Sequence, residues 1–73
     1  MKIKEKDKVN GGLYDRGTAD SYYGRSAKPH YYPHGTYNGK PVTGLSNQQT
    51  QIYMAGYDWN EINGDFKDWG DKF

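Results

Sequence analysis

A proline-rich and glycine-rich segment between Ala27 and Leu45 restricts the regular structure that this chain can form. The segment contains Pro29, Pro33 and Pro41. Each proline removes a backbone donor and fixes φ, and four glycines counted from Gly24 weaken helices further. We therefore predict a long irregular connector with one helix on each side of it.

One short regular element is expected inside this connector. Asn38-Gly39 has the sequence of a type I′ turn, because both residue types accept positive φ. We predict a very short β-hairpin at Tyr37 to Lys40. Pro41 would stop it from growing. A connector of this length is also a candidate contact surface.

The first helix is predicted from Leu13 to Tyr23, with Asn10 as its cap and Gly24 as its stop. Small residues recur along it at spacings of four and three, which places them on one side of a helix. They are Gly17, Ser21 and Gly24. A second helix is expected to pack closely against this side.

The second helix is predicted to start at Ser46, which forms a capping box with Gln49, and to stop at Asn63-Gly64. Apolar and small residues recur on it at spacings of three and four, as on one face of a helix. They are Ile52, Ala55, Gly56, Trp59 and Ile62. We predict that Ala55 and Gly56 pack against Gly17 and Ser21 of the first helix. Ile52 is expected to pack as well, and Trp59 and the tyrosines are expected to cover the edges of this contact.

Only seven aliphatic residues occur among 73, against eight Tyr, two Trp and two Phe, so the core is expected to be mostly aromatic. The predicted fold is mostly α, a small two-helix hairpin formed by residues 10–64. Residues 1–9 are expected to be a mobile basic arm. Residues 65–73 are expected to be an acidic aromatic tail with a helical turn that carries Phe66, Trp69 and Phe73.

Charge is divided unevenly, since residues 1–40 carry a net +4 and residues 41–73 a net −3. The basic half suits a phosphate-bearing partner and the acidic half a basic protein, although a solvated surface of mixed charge has the same count. The chain has no cysteine and no apolar run long enough to span a bilayer. A cytoplasmic protein without a membrane span is expected.

Catalytic and metal-binding patterns are missing from the sequence. His30 and His34 have helical metal-ligand spacing, but the neighbouring prolines disfavour a helix there, so no metal is expected. The carboxylates of the acidic half are expected to form a solvated face. We expect no enzyme, no cofactor and no small-molecule substrate.

Basic residues alternate with aromatic ones in the first half, a mixture typical of RNA-binding surfaces, where arginine binds phosphate and tyrosine stacks on bases. The alternative is that most of these tyrosines form the core. The candidate RNA-binding residues are Arg16, Arg25, Lys28, Tyr31 and Tyr32.

Two motifs resemble those of the ribosome modulation factor family. Arg16-Gly17 is followed after six residues by Gly24-Arg25-Ser26, and Tyr31 lies at the distance of a family tyrosine. Tyr53-Met54-Ala55-Gly56-Tyr57 is similar to the W-L-G-G-W element of the family's second helix. The resemblance covers about residues 14 to 60. It implies a two-helix protein that binds the small ribosomal subunit, with Arg16 and Arg25 contacting rRNA.

The leading hypothesis is accordingly a non-enzymatic protein that binds the ribosome or structured RNA through its basic half. The family is strongly basic, whereas this chain has a net charge of +1. The alternative hypothesis is an accessory or phage-type adaptor or inhibitor. It would bind a host protein through the acidic aromatic tail and the connector.

Overall fold

The computed structural model describes residues 3–36 and 38–67. These residues form three helices, α1 (Glu5–Lys8), α2 (Leu13–Tyr22) and α3 (Asn47–Asn63). The two longer helices pack against each other, and α1 packs on α2. The predicted, mostly helical fold with two main helices is confirmed. No helix in the described part of the chain has the length and apolar character needed to cross a bilayer.

Local sequence signals set the ends of α3. The hydroxyl of Ser46 accepts a hydrogen bond from the Gln49 amide at 3.1 Å, and the Gln49 side chain accepts from the Ser46 amide at 2.9 Å. This capping box satisfies two amide donors that the first turn leaves unpaired. The helix ends at Gly64, whose amide donates to the Asn60 carbonyl at 3.0 Å. The predicted start and end of this helix are confirmed.

Helix α2 begins differently from the prediction. Its cap is Gly12, which has no side chain to accept a hydrogen bond, and Asn10 instead accepts from the Thr36 amide at 3.2 Å. Asn10 therefore ties the connector to the start of the domain. Gly24, at φ 70°, ends the helix as predicted. No atom lies within 4 Å of a Cβ placed at Gly24, so this glycine has no packing role.

The two main helices cross at a pair of glycines. A Cβ at Gly17 would overlap the carbonyl oxygen of Tyr53 and lie 2.8 Å from the Tyr57 amide nitrogen. A Cβ at Gly56 would overlap the carbonyl oxygen of Tyr14. Because backbone meets backbone at both points, only glycine permits this separation of the helices.

The buried face of α3 is rotated from the apolar stripe that the sequence suggests. Its buried residues are Ile52, Tyr53, Gly56 and Asn60. Trp59 is 50% exposed and Ile62 is 79% exposed. The prediction that Trp59 packs in the helix interface is therefore wrong. Tyr53 and Asn60 take the inner positions because their polar groups find partners on α2.

One of those partners is Ser21, which is fully buried in the interface. The Ser21 hydroxyl accepts a hydrogen bond from the Asn60 amide group at 3.0 Å and donates one to the Glu61 carboxylate at 2.7 Å. Ser21 thus joins the helices by hydrogen bonds as well as by its small size.

The N-terminal segment folds onto the domain instead of extending from it as an arm. Asp7 is 4% exposed, and its carboxylate accepts from the Lys4 amide at 3.1 Å. A Cβ at Gly12 would lie 2.7 Å from the Asp7 carbonyl oxygen, so this glycine allows the segment to approach. Ile3 packs against the core. Residues 3–9 therefore belong to the fold.

The connector closes on itself at a different place from the predicted hairpin. Tyr31 and Val42 form an isolated antiparallel bridge, with amide-to-carbonyl distances of 3.2 and 2.8 Å. Residues 38–40 pair with no strand, and Tyr37 lies outside the described residues, so a hairpin at Tyr37 to Lys40 is not supported. Within the loop that this bridge closes, Gly35 and Gly39 both adopt positive φ, which glycine accepts without strain.

The start of the acidic tail returns to α2. Residues 65–67 are irregular, and the Lys67 amide donates to the Tyr22 carbonyl at 2.7 Å. This bond satisfies a carbonyl at the C-terminal end of α2. The rest of the predicted helical turn, with Trp69 and Phe73, lies outside the described residues.

Candidate functional site

A buried carboxylate lies at the centre of a polar cluster that joins α2, α3 and the connector. Asp20, on α2, is 3% exposed, and one of its oxygens is 3.6 Å from Arg16 and 3.4 Å from Arg25. The other oxygen accepts a hydrogen bond from the hydroxyl of Tyr53 and is 3.9 Å from His30. A charge this deeply buried needs such partners, because desolvation alone would be very costly.

Arg16 is the inner partner of this carboxylate. Its side chain is 5% exposed, and its Nε donates to Nε2 of His30 at 3.3 Å. Its Nη1 is 3.5 Å from the Thr36 hydroxyl, and its guanidinium lies 5.6 Å from the ring centroid of Tyr32. The structure therefore places Arg16 inside the domain, where it joins α2 to the connector, and not on a surface open to RNA.

His30 is held between the connector and Arg16. Its Nδ1 is 2.6 Å from the Lys28 carbonyl oxygen, while its Nε2 accepts from Arg16. The Nδ1 of His30 also lies 3.9 Å from the Asp20 carboxylate. His30 thus joins the connector backbone to both charged residues of α2 in the cluster.

Two tyrosine hydroxyls of α3 position the chain just after α2. Tyr53 is fully buried, and its hydroxyl accepts from the Lys28 amide at 3.1 Å while donating to Asp20. Burial, and then the hydrogen bond to Asp20, raise the pKa of Tyr53 far above its ordinary value. The Tyr57 hydroxyl donates to the Arg25 carbonyl at 2.7 Å. Burial and the charge of Glu61 raise the pKa of Tyr57 as well.

A cleft of about 480 Å³ opens above this cluster. We call it the Arg25 cleft. The residues that line it include Asp20, Arg25, Lys28, His30 and Tyr32. It brings together three of the five residues predicted to bind RNA. Among the charged residues that line it, the two bases Arg25 and Lys28 outnumber the single carboxylate of Asp20. The cleft is electropositive and open to anions.

Arg25 is the most strongly positioned exposed base of the cleft. Its guanidinium lies 4.8 Å from the ring centroid of Tyr23 and pairs with Asp20, yet 46% of its side chain is exposed. Its amide donates to the Asp20 carbonyl at 2.8 Å. An arginine held in this way loses little further conformational entropy when it binds an anion.

Tyr31 occupies a neighbouring position and not the Arg25 cleft. It is partly buried, packs against the core, and lines a second cleft between the N-terminal segment and the start of α3. Tyr32 lines both clefts. The two connector tyrosines therefore face different surroundings, which their adjacency in sequence does not reveal.

Asp20 and His30 are not among the residues predicted to bind RNA, although the structure places both in the site. The spacing of four between Arg16 and Asp20 was the available signal, because it predicts an ion pair on one helix face. His30 was considered as a metal ligand and as one of the bases that alternate with aromatic residues. Within residues 3–36 and 38–67, no three His, Asp or Glu side chains are grouped so that they could hold a metal ion.

No protein-family model matches the chain, and no curated protein or solved structure matches it either. The function of this chain is therefore inferred from the residues and geometry of the Arg25 cleft.

Proposed function

We propose that this chain is a small non-enzymatic RNA-binding protein that contacts RNA phosphate through the Arg25 cleft. The observation that carries the proposal is the meeting of Arg25, Lys28 and Tyr32 in one open, electropositive cleft. A guanidinium binds phosphate oxygens in a fork, an ammonium adds a point charge, and an aromatic ring stacks on an unpaired base. RNA offers both groups side by side.

The two motifs that resemble ribosome modulation factor support the same cleft. Gly24 ends α2 with positive φ, and the chain then turns so that Arg25 lies beside Asp20. In the second motif, Tyr53 and Tyr57 hold residues 25–28 by hydrogen bonds, while Gly56 allows α3 to approach. Both motifs thus build one side of the molecule, which favours ribosomal RNA as the partner.

Arg25 and Lys28 set the scale of the salt dependence. Each phosphate that a base neutralises on a single strand contributes about 0.7 to the slope of log affinity against log salt. Two contacts predict a slope of roughly 1 to 2, much shallower than that of a strongly basic protein. We expect binding at low salt that weakens moderately as salt rises.

The test combines sedimentation with ribosomes and anisotropy of a labelled single-stranded RNA at two salt concentrations. Arg25→Ala and Lys28→Ala are each expected to weaken binding about tenfold, in the range for loss of one charge-assisted contact. Lys40→Ala is the matched control, because Lys40 is an exposed base of the connector that does not line the cleft. Absence from ribosomal fractions and from RNA at low salt would overturn the proposal.

A second candidate function is binding to a basic host protein. It is favoured by the exposure of Trp59 and Ile62 near the end of α3, with the carboxylates Asp58 and Glu61 beside them in sequence. The test is affinity capture from nuclease-treated lysate with the wild type, Trp59→Ala and a chain lacking residues 65–73. A single protein partner that is recovered without RNA and lost in the altered chains would favour this candidate.

A further inference from the structure

The second cleft, which we call the Tyr31 cleft, lies between the N-terminal segment and the start of α3. It has a volume of about 480 Å³, within the range of small-ligand sites. Its lining includes Leu13 and Ile52, which are 5% and 6% exposed and belong to the core. Two apolar core side chains therefore contribute to the buried part of the lining, beside the buried carboxylate of Asp7.

The sides of the Tyr31 cleft combine aromatic rings with amides. Tyr31 and Tyr32 line it from the connector, and Gln48 lines it from the exposed surface of α3. A carboxamide has both donors and an acceptor, as the edges of nucleobases do. Lys4 and Lys6 add positive charge to the lining, and Asp7 adds one carboxylate. Apolar core side chains together with aromatic and amide groups suit a flat heteroaromatic ring.

Tyr32 is a fixed wall between the two clefts. Its amide donates to the Gly11 carbonyl at 2.7 Å, and its ring lies near the guanidinium of Arg16. The ring of His30 meets it edge-on, with the centroids 5.5 Å apart. The Tyr31–Val42 bridge holds the preceding residue. A strand that crosses Tyr32 would pass from an electropositive cleft directly into one suited to a base.

We propose that the Tyr31 cleft binds one unpaired nucleobase of the same RNA strand whose phosphate lies in the Arg25 cleft. This inference rests on the proposed function, because it assigns a base subsite to the RNA bound there. It makes single-stranded RNA the substrate class, since a base inside a duplex cannot leave its stack without cost. Stacking on tyrosine contributes roughly 1–3 kcal/mol per base, which is about fivefold to more than about a hundredfold in affinity.

The first experiment compares a single-stranded RNA hexamer with the same hexamer lacking its bases. The abasic strand keeps every phosphate, so only the base subsite distinguishes the two ligands. We expect the complete hexamer to bind at least tenfold more tightly. Gln48→Ala is expected to weaken the complete hexamer several-fold and to leave the abasic strand unchanged. Gln51→Ala is the matched control, because Gln51 is exposed on α3 and lines neither cleft.

The second experiment follows amide and side-chain NMR signals of the ¹⁵N-labelled protein. Inorganic phosphate is expected to shift the signals of Arg25 and Lys28 alone. Adenosine 5′-monophosphate is expected to shift these signals and also the side-chain amide signals of Gln48. Absence of any Gln48 shift with the nucleotide would contradict the base subsite.

The outcomes separate failure of the subsite from failure of the proposed function. If both strands bind equally and Arg25→Ala weakens both, the base subsite is wrong and phosphate binding stands. If neither strand binds at low salt, both are wrong. If Gln51→Ala weakens the hexamer as much as Gln48→Ala does, the assignment to the Tyr31 cleft is overturned.

Discussion

The hydroxyl of Tyr53, on α3, donates a hydrogen bond to the buried carboxylate of Asp20, on α2. Asp20 and Tyr53 are both buried, in an interior that larger proteins usually fill with aliphatic side chains. Among the described residues, the buried hydrophobic side chains are those of Leu13, Ile52 and Tyr53. Within the same residues, no buried side-chain nitrogen or oxygen lacks a hydrogen-bond partner. The domain is therefore held together by a satisfied polar cluster as much as by apolar burial.

Tyr53→Phe is expected to lower the free energy of unfolding by about 2 kcal/mol. The change removes the donor to Asp20 and the acceptor for the Lys28 amide, and each buried group left without a partner costs about 1–3 kcal/mol. Urea unfolding measures the loss. Tyr23→Phe is the control, since it removes the same atom from a side chain that is 38% exposed, and an equal loss there would contradict the role of Tyr53.

Alkaline pH is expected to destabilise the wild type through Tyr53. The pKa of this phenol is 10.0 in its ordinary state and is raised by burial in the folded protein. Above about pH 10 the unfolded chain loses the proton while the folded protein keeps it, so stability falls as pH rises, by at most about 1.4 kcal/mol per unit. Urea unfolding from about pH 8 to about pH 11 should show a shallower decline in Tyr53→Phe than in Tyr23→Phe.

The two arginines that pair with Asp20 are expected to have separable roles. Arg16→Ala leaves a buried carboxylate short of its inner partner, a change that typically costs about 3–5 kcal/mol, so we expect the domain to unfold or nearly so. Arg25→Ala removes a half-exposed partner and is expected to cost about 1 kcal/mol or less while weakening RNA binding. Thermal unfolding monitored by circular dichroism distinguishes the variants. Equal losses of stability would contradict this division.

Gly17→Ala is expected to destabilise the helix pair by roughly 2–3 kcal/mol. Alanine normally favours a helix over glycine by about 1 kcal/mol, but here the new methyl group would meet the backbone of Tyr53 and Tyr57. Because a backbone cannot yield as a side chain does, the helices must separate. Gly44→Ala is the control, with no atom within 4 Å of the added Cβ. A stabilised Gly17→Ala protein in urea unfolding would show that the crossing is looser than described.

Trp59→Ala and Ile52→Ala test which face of α3 is buried. Ile52 is 6% exposed, so its truncation is expected to cost about 2–5 kcal/mol. Trp59 is 50% exposed, and its truncation is expected to change stability by only about 0.5 kcal/mol despite the larger side chain. Chemical denaturation measures both. A larger loss of stability for Trp59→Ala than for Ile52→Ala would show that the apolar stripe suggested by the sequence is the buried face of α3.

Part of the candidate site could be predicted from the sequence. Arg25, Lys28 and Tyr32 lie within eight residues of one another, and the breaks around them keep this stretch at the surface, where it forms one cleft. Arg16 could not be separated from Arg25 in this way. Its burial depends on His30 and Thr36 as well as on Asp20, and His30 and Thr36 are 14 and 20 residues away in the chain.

The sequence by itself determined both ends of α3, the C-terminal end of α2 and the close helix crossing. Ser46 caps α3 and Gly24 ends α2 through bonds to residues only a few positions away, so neighbouring side chains contain all the information required. Gly17 and Gly56 mark the crossing because a missing side chain leaves room in any partner arrangement. The helix ends depend on local geometry, and the crossing depends on small residues that recur at helical spacing.

Only the tertiary structure decided which residues of those helices face inward. Hydrophobic spacing predicts that Trp59 faces inward. In the structure, Tyr53 and Asn60 occupy the inner face of α3 and hydrogen-bond to α2, and Trp59 is 50% exposed. The ordering of residues 3–9 and the Tyr31–Val42 bridge arise in the same way. In a domain with so few aliphatic residues, pairing of distant polar groups outweighs apolar periodicity, and that pairing exists only once the chain is folded.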